Sequence, residues 1–354
     1  MPLGLYAKHE AAILQQAPGC ADDITKTKAF QLLRDDPDSK LIINCGYLVS
    51  PHSHLLMTSS SRRMIKHRES HPLYANHAFQ NAGNVAQGWR TESYRSITDG
   101  STSNIHILAI DYRGYGLSTG FPTEEGVIID GIAAVDWAMR VAKVPSGRIV
   151  ILGQSLGTAV TSAVAEHYAL KGVEFAGVVV VAAFTDLPNL LTGYSIAGYV
   201  PILSPLRRYP SLQKLFISRV IDKWPSAIRL ANFVRASKRL RLFIIHARDD
   251  YEIPCHHSDA LFIATANATT DGGMDVALIE KMKARNTVDM GDGAFISTWK
   301  AGGNKIIREE MVAFGGESSK FLLILDFFSI TQSIKSLKIS ATFPISGRSN
   351  EVNG

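Results

Sequence analysis

The segment Gly153-Gln154-Ser155-Leu156-Gly157 sets a serine between glycines two residues before and two residues after it. A nucleophilic hydroxyl needs that setting. It must stand clear of a sheet on a sharp strand-to-helix turn, and side chains two residues to either side would collide in the strained backbone. The apolar run 149–152 reads as the strand, and the small, apolar stretch 157–170 reads as the helix. Such a helix aims its first amide groups at the charge that develops on an attacked carbonyl, so the Leu156 N–H is a candidate oxyanion donor. Further along, the run 240–245 leads into His246, Asp249 and Asp250. Acids at the carboxyl end of a strand stand where open α/β sheets place catalytic groups. In the chain order serine, acid, histidine, either Asp249 or Asp250 would hold an imidazole in its working tautomer.

These residues need a frame, and the surrounding pattern supplies one. Strand-like runs at 41–44, 105–110, 149–152, 177–182, 240–245 and 306–313 alternate with helical stretches, the signature of a parallel sheet covered on both faces. The stretch 123–141 puts Val127, Ile128, Ile132, Val135 and Met139 on one helical stripe. Residues 184–239 are broken by Pro188, Pro201, Pro205, Pro210 and Pro225, too long for a simple βα link, and read as an inserted helical cap. Two stretches, 46–80 and 317–354, show no sustained periodicity.

Length and composition agree with one packed domain: 354 residues, 46% hydrophobic and 19% charged. Three cysteines without metal-type spacing exclude a disulfide framework and a zinc site, and a reducing, intracellular setting fits them. No run approaches the roughly 18 apolar residues of a membrane span. The formal charge of +5 is partly local to 45–80, which argues against a general nucleic-acid surface.

Taken together, Asp111-Tyr112-Arg113-Gly114-Tyr115-Gly116-Leu117-Ser118-Thr119-Gly120, the serine segment continued by Thr158, and the strand ending at Asp250 resemble one family. It is the α/β-hydrolase-domain family that contains lysophosphatidylserine and monoacylglycerol lipases, and the resemblance spans residues 2–44 and 81–316. It implies an α/β-hydrolase fold: a mostly parallel central sheet flanked by helices, its core in 1–45, 81–183 and 240–316, with the cap at 184–239. It also implies a serine ester hydrolase acting on monoacylglycerol or lysophospholipid, without metal or organic cofactor. The family's acid stands four residues before the proline of a D-x-x-[IV]-P pattern, which selects Asp250 over Asp249. Asn81-Ala82-Gly83-Asn84 resembles the end of a His-Gly-Asn-Ala-Gly turn, making Asn81 the second oxyanion donor, but Phe79 and Gln80 stand where His-Gly belongs.

The family's base follows the last strand in a Gly-Gly-His turn, and here that turn reads Gly315-Gly316-Glu317-Ser318. No histidine follows His257. His246 is expected to be a packed structural residue, and His256 and His257 would have to fold back over the acid to serve. Codons for Gly316-Glu317-Ser318 can contain GTGAGT, and those for Phe79-Gln80 can end in TTCCAG. Residues 46–80 and 317–354 are therefore expected to be non-native translated intron, and the N-terminus to have lost earlier strands and any anchor. The chain as written is expected to be nearly inactive; a catalytically dead binding protein and a peptidase of the same fold are the competing readings. Apolar Leu190, Leu191, Ile196, Val200, Ile202 and Leu203 beside Arg207 and Arg208 raise membrane contact through the cap.

Overall fold

A run such as Ile149-Val150-Ile151-Leu152 can be a strand only if both of its faces are covered, which a parallel sheet provides. The computed structural model describes residues 40–45, 56–59, 105–115, 118, 120–193, 195–196, 200–201 and 210–314. In chain order the elements are β1 (Lys40–Cys45), β2 (Leu56–Ser59), β3 (Ile105–Ala109), α1 (Glu124–Arg140), β4 (Ile149–Gln154), α2 (Leu156–Leu170) and β5 (Gly177–Val181). There follow α3 (Leu187–Gly193), β6 (Ser195–Ile196), β7 (Val200–Pro201), α4 (Pro210–Ser218), α5 (Ser226–Ala236) and β8 (Leu240–Ala247). The last are α6 (His256–Asn267), α7 (Val276–Arg285), β9 (Thr287–Gly291), β10 (Ala294–Ala301) and β11 (Lys305–Val312).

Among the described residues nine strands form one sheet in the order β2-β3-β1-β4-β5-β8-β11-β10-β9, and β6 pairs with β7 as a separate ribbon. The strands from β3 to β11 in that order run parallel, while β2 on one side and β10 with β9 on the other pair antiparallel. The six strands expected from sequence are all present, each within two residues of its expected ends. The stretch 46–80 contributes β2, whose Leu56 lies opposite Ala109. Its remainder and residues 315–354 lie outside the described residues.

The register aligns Ile43, Ile151, Val178, Leu242 and Ile307 in one row across five strands, all buried. Against this face α1 sets Val127, Ile132 and Val135, α2 sets Val160 and Val164, α5 sets Leu230 and Phe233, and α6 sets Leu261 and Phe262. Each such side chain contributes roughly 1.5–3 kcal/mol by leaving water. The opposite face is equally buried through Ile42, Ile107, Val150, Leu152, Val179 and Phe243. Helix α1 starts where the Thr123 hydroxyl accepts from the Gly126 N–H at 3.2 Å, with Glu124 and Glu125 suited to the positive end of the helix dipole.

The stretch read as cap holds α3, the ribbon, α4 and finally α5, which packs on α2. Its two feet are tied together, Leu187 N–H donating to the Lys223 carbonyl and Ala227 N–H to that of Thr185, both at 2.9 Å. Glu124 fastens the second foot to α1, accepting from the Trp224 N–H at 3.0 Å and from Arg229 Nη2 at 2.7 Å. The first foot meets His257, whose Nδ1 lies 3.2 Å from the Thr185 hydroxyl. Leu190, one of the apolar residues of the cap stretch, is 6% exposed and packs inward with Phe184 and Trp224. Arg207 and Arg208 lie outside the described residues. Among the described residues no helix is long and apolar enough to cross a membrane.

Beyond β8 the fold carries an antiparallel hairpin that the sequence reading did not identify. Gly291, Asp292 and Gly293 all take positive φ between β9 and β10, and that Gly-Asp-Gly run is the signal that marks it. Behind the hairpin, Glu309 of β11 is fully buried and ion-paired to Lys283 of α7, which also donates to Asp259 at 2.6 Å. Burial pushes the Glu309 carboxyl up to about 7, and Lys283 opposes the shift. Lys283→Met leaves that acid buried without its cation and is expected to cost about 3–5 kcal/mol in urea unfolding, whereas adding Glu309→Leu recovers most of the loss.

His167 and His257 are both pushed down to about 4 by burial, aided by Lys171 for the first and by His256 for the second. Each is therefore neutral in the folded chain at a pH where the unfolded one, near 6.5, begins to take up protons. Their contribution is complete above about 6.5 and is lost as pH falls toward 4. Thermal unfolding across that window should show His167→Gln to be less acid-sensitive than the parent; an unchanged slope would refute the assignment.

Candidate active site

Ser155 is the junction between β4 and α2, with φ 52° and ψ −125°, a backbone conformation that costs a non-glycine residue on the order of 1–3 kcal/mol. Neighbouring strands hold it there. The Ser155 N–H donates to the Val181 carbonyl at the end of β5 at 3.0 Å, and the Ser155 carbonyl accepts from the Thr158 N–H at 2.9 Å and hydroxyl at 2.6 Å. Helix α2 passes so close to β4 that a Cβ on Gly153 would lie 2.5 Å from Thr161 Oγ1 and press into the Gly157 carbonyl. Leu156 is the first residue of α2, so its N–H has no carbonyl one turn earlier to bond with.

Asp250 lies three residues past the end of β8, two strands from β4 in the sheet, a lateral span of about 10 Å. Its Oδ1 accepts from the Glu252 and Ile253 N–H groups, each at 2.9 Å, which fixes the carboxylate on its own turn. Oδ2 lies 3.6 Å from His246 Nε2. Asp249 lies two residues past the end of β8.

The three downstream histidines are placed as follows. His246 is 1% exposed, its Nε2 2.7 Å from the Ile253 carbonyl and its Nδ1 2.6 Å from the Ser258 hydroxyl. A carbonyl only accepts, so Nε2–H donates to Ile253, and the ring clasps β8, the acid turn and α6 together. His257 is engaged by Thr185, and the exposed His256 stacks on it at 4.5 Å. Among the described residues no histidine lies within hydrogen-bond distance of the Ser155 hydroxyl. Asn81, Gly315 and Gly316 lie outside the described residues. No group of three or more metal-ligating side chains is found among the described residues. Burial also raises the Cys255 thiol, the wrong direction for a thiolate nucleophile.

Sequence reading missed the brace beneath the Asp111–Gly120 loop. The Arg113 guanidinium forks onto Asp130 of α1 at 2.7–3.1 Å, and the Arg113 N–H donates to the same carboxylate at 2.9 Å. Gly126 leaves room for it, since a Cβ there would lie 2.7 Å from Arg113 Cδ. Within the loop Gly114, at φ 76°, would meet Pro122 Cδ at 2.7 Å if it bore a side chain. An arginine in the loop and an acid on the facing stripe of the next helix was the signal available.

The alpha/beta hydrolase family model matches residues 79–294, more than half of the chain. Protein ABHD12B of Homo sapiens is 29% identical over 191 residues, covering 52% of this chain and 47% of that protein. The lysophosphatidylserine lipase ABHD12 of Gallus gallus is 26% identical over 204 residues, covering 56% and 49%. The chain thus spans about half the length of the curated relatives it matches. Among solved structures, an alpha-beta hydrolase from Vibrio vulnificus aligns with TM-score 0.45 and 17% identity over 70% of this chain and 68% of that one. With a parallel sheet, a serine elbow at the end of β4 and a family match across both, this chain belongs to the alpha/beta hydrolase family.

Proposed function

We propose that the chain carries the nucleophile and acid of a serine ester hydrolase for monoacylglycerol- or lysophospholipid-type esters, and that as written it turns over very slowly. The observation that carries this reading is Ser155 at φ 52° on the β4–α2 elbow, tied to Val181, at the same end of the sheet as Asp250. The ester class rests on the resemblance to lysophosphatidylserine lipases. Ser155 Oγ attacks the acyl carbon, and the oxyanion is met by the Leu156 N–H and by that of Asn81. The alcohol leaves, and water then cleaves the acyl-enzyme. Asp250 acts only through a histidine, as its carboxylate is the group that orients such a ring.

No described histidine meets Ser155, so its proton passes to solvent, and catalysis is reduced to what the oxyanion donors and substrate binding provide. The loss of a base costs about a thousandfold or more. The same absence favours a second reading, a binding protein that keeps the fold without turnover. No metal or cofactor takes part in either.

Treatment with a fluorophosphonate, which forms a phosphorus–oxygen bond to Ser155 as fluoride departs, should label the chain slowly, and Ser155→Ala should abolish the labelling. Labelling that survives the substitution would refute the nucleophile, and none at all would favour the binding protein. Asp250→Asn should change the labelling rate by less than about twofold, because an acid without its base has nothing to orient; a drop of a hundredfold or more would reveal a working base and overturn the slow reading.

A further inference from the structure

We propose that two copies of this chain join through β9, antiparallel to each other across a two-fold axis at Val288. The inference does not depend on Ser155 being active. Strand β9 ends the nine-stranded sheet, and among the described residues no strand pairs with its outer edge. An open edge presents backbone N–H and C=O groups ready to pair with another strand. The pairing with β10 shows which residues supply them. The Asn286 carbonyl accepts from the Thr298 N–H at 3.3 Å, and two residues later Val288 lies opposite Ile296. Inward and outward groups alternate along an antiparallel strand, so Asn286 and Val288 turn theirs toward β10, while Thr287 and Asp289 turn theirs to the open edge.

That alternation and the side chains select one symmetric register. With Val288 opposite Val288 of the second copy, Thr287 of each chain faces Asp289 of the other and exchanges both backbone hydrogen bonds with it. An axis at Asp289 would instead set two carboxylates opposite each other, which is unfavourable. Val288 and Met290 are both 60% exposed in the single chain, and Val288 would gain an apolar partner at the axis. Helix α7, which reaches β9 through Asn286 alone, leaves Val276 and Leu278 48% and 45% exposed. No lysine or proline guards the run 287–291, and its one charge, Asp289, falls beside Thr287 in this register. A bilayer would call for cations, which the run lacks, whereas the strand complements its own copy residue by residue.

Light scattering on the full chain tests this. The parent should be a dimer at micromolar concentration, with amide exchange at Thr287 and Asp289 slowing as the dimer forms. Val288→Lys and Val288→Glu should each be monomeric, like charges at the axis raising the dissociation constant at least about a hundredfold, with far-UV circular dichroism unchanged. Mixing the two variants should restore a dimer that holds one copy of each. A monomeric parent would overturn the proposal in favour of an extended segment of this chain, or of another protein, on the edge. A Val288→Lys variant that stays dimeric, or a mixture that stays monomeric, would overturn it as well.

Discussion

Everything at the site depends on how closely α2 approaches the end of β4. At Gly153 the helix lies nearer than a methyl group allows, with Thr161 and the Gly157 carbonyl in the space a Cβ would occupy. That approach forces the chain to reverse within one residue, and the residue at the reversal is Ser155. The elbow is not self-supporting, since its N–H is held by β5, the next strand, and β5 is held in turn by β8, which carries the acid. The position of the hydroxyl relative to Asp250 is therefore a property of the sheet's strand order rather than of any loop.

A second dependence gathers in the first turn of α6. His257 there engages Thr185 at the first foot of the cap, and its neighbour Ser258 engages His246, whose other nitrogen reaches the acid turn at Ile253. One helical turn thus anchors both the cap's entry and the segment bearing Asp250. The cap's exit is anchored independently, through Glu124 and Arg229 on the α1 side.

The central strands and the elbow were legible because their signals are local. Strands buried on both faces must be uninterrupted apolar runs, and a serine elbow needs small residues at fixed offsets. The position of Asp250 just past β8 was legible for the same reason. What escaped reading depends on contacts between distant segments. Arg308-Glu309-Glu310 looks like a solvated charge run, yet both acids are buried, because alternate side chains of β11 enter opposite faces and meet Lys283 on one and Arg308 on the other. Arg113 and Asp130 likewise meet only because α1 lies against the loop. Leu190 likewise packs inward only because the cap's feet fold that part of the chain onto Phe184 and Trp224.

The positive φ of Ser155 also separates what the residue does for the fold from what its hydroxyl does. Glycine would relieve the strain at that position, and nothing in the packing needs a hydroxyl, since the contacts that hold the residue use its N–H and carbonyl. Ser155→Gly would therefore ease the backbone without removing any of those contacts. The hydroxyl thus sits at a backbone position that favours glycine, and it takes no part in the contacts that hold the elbow.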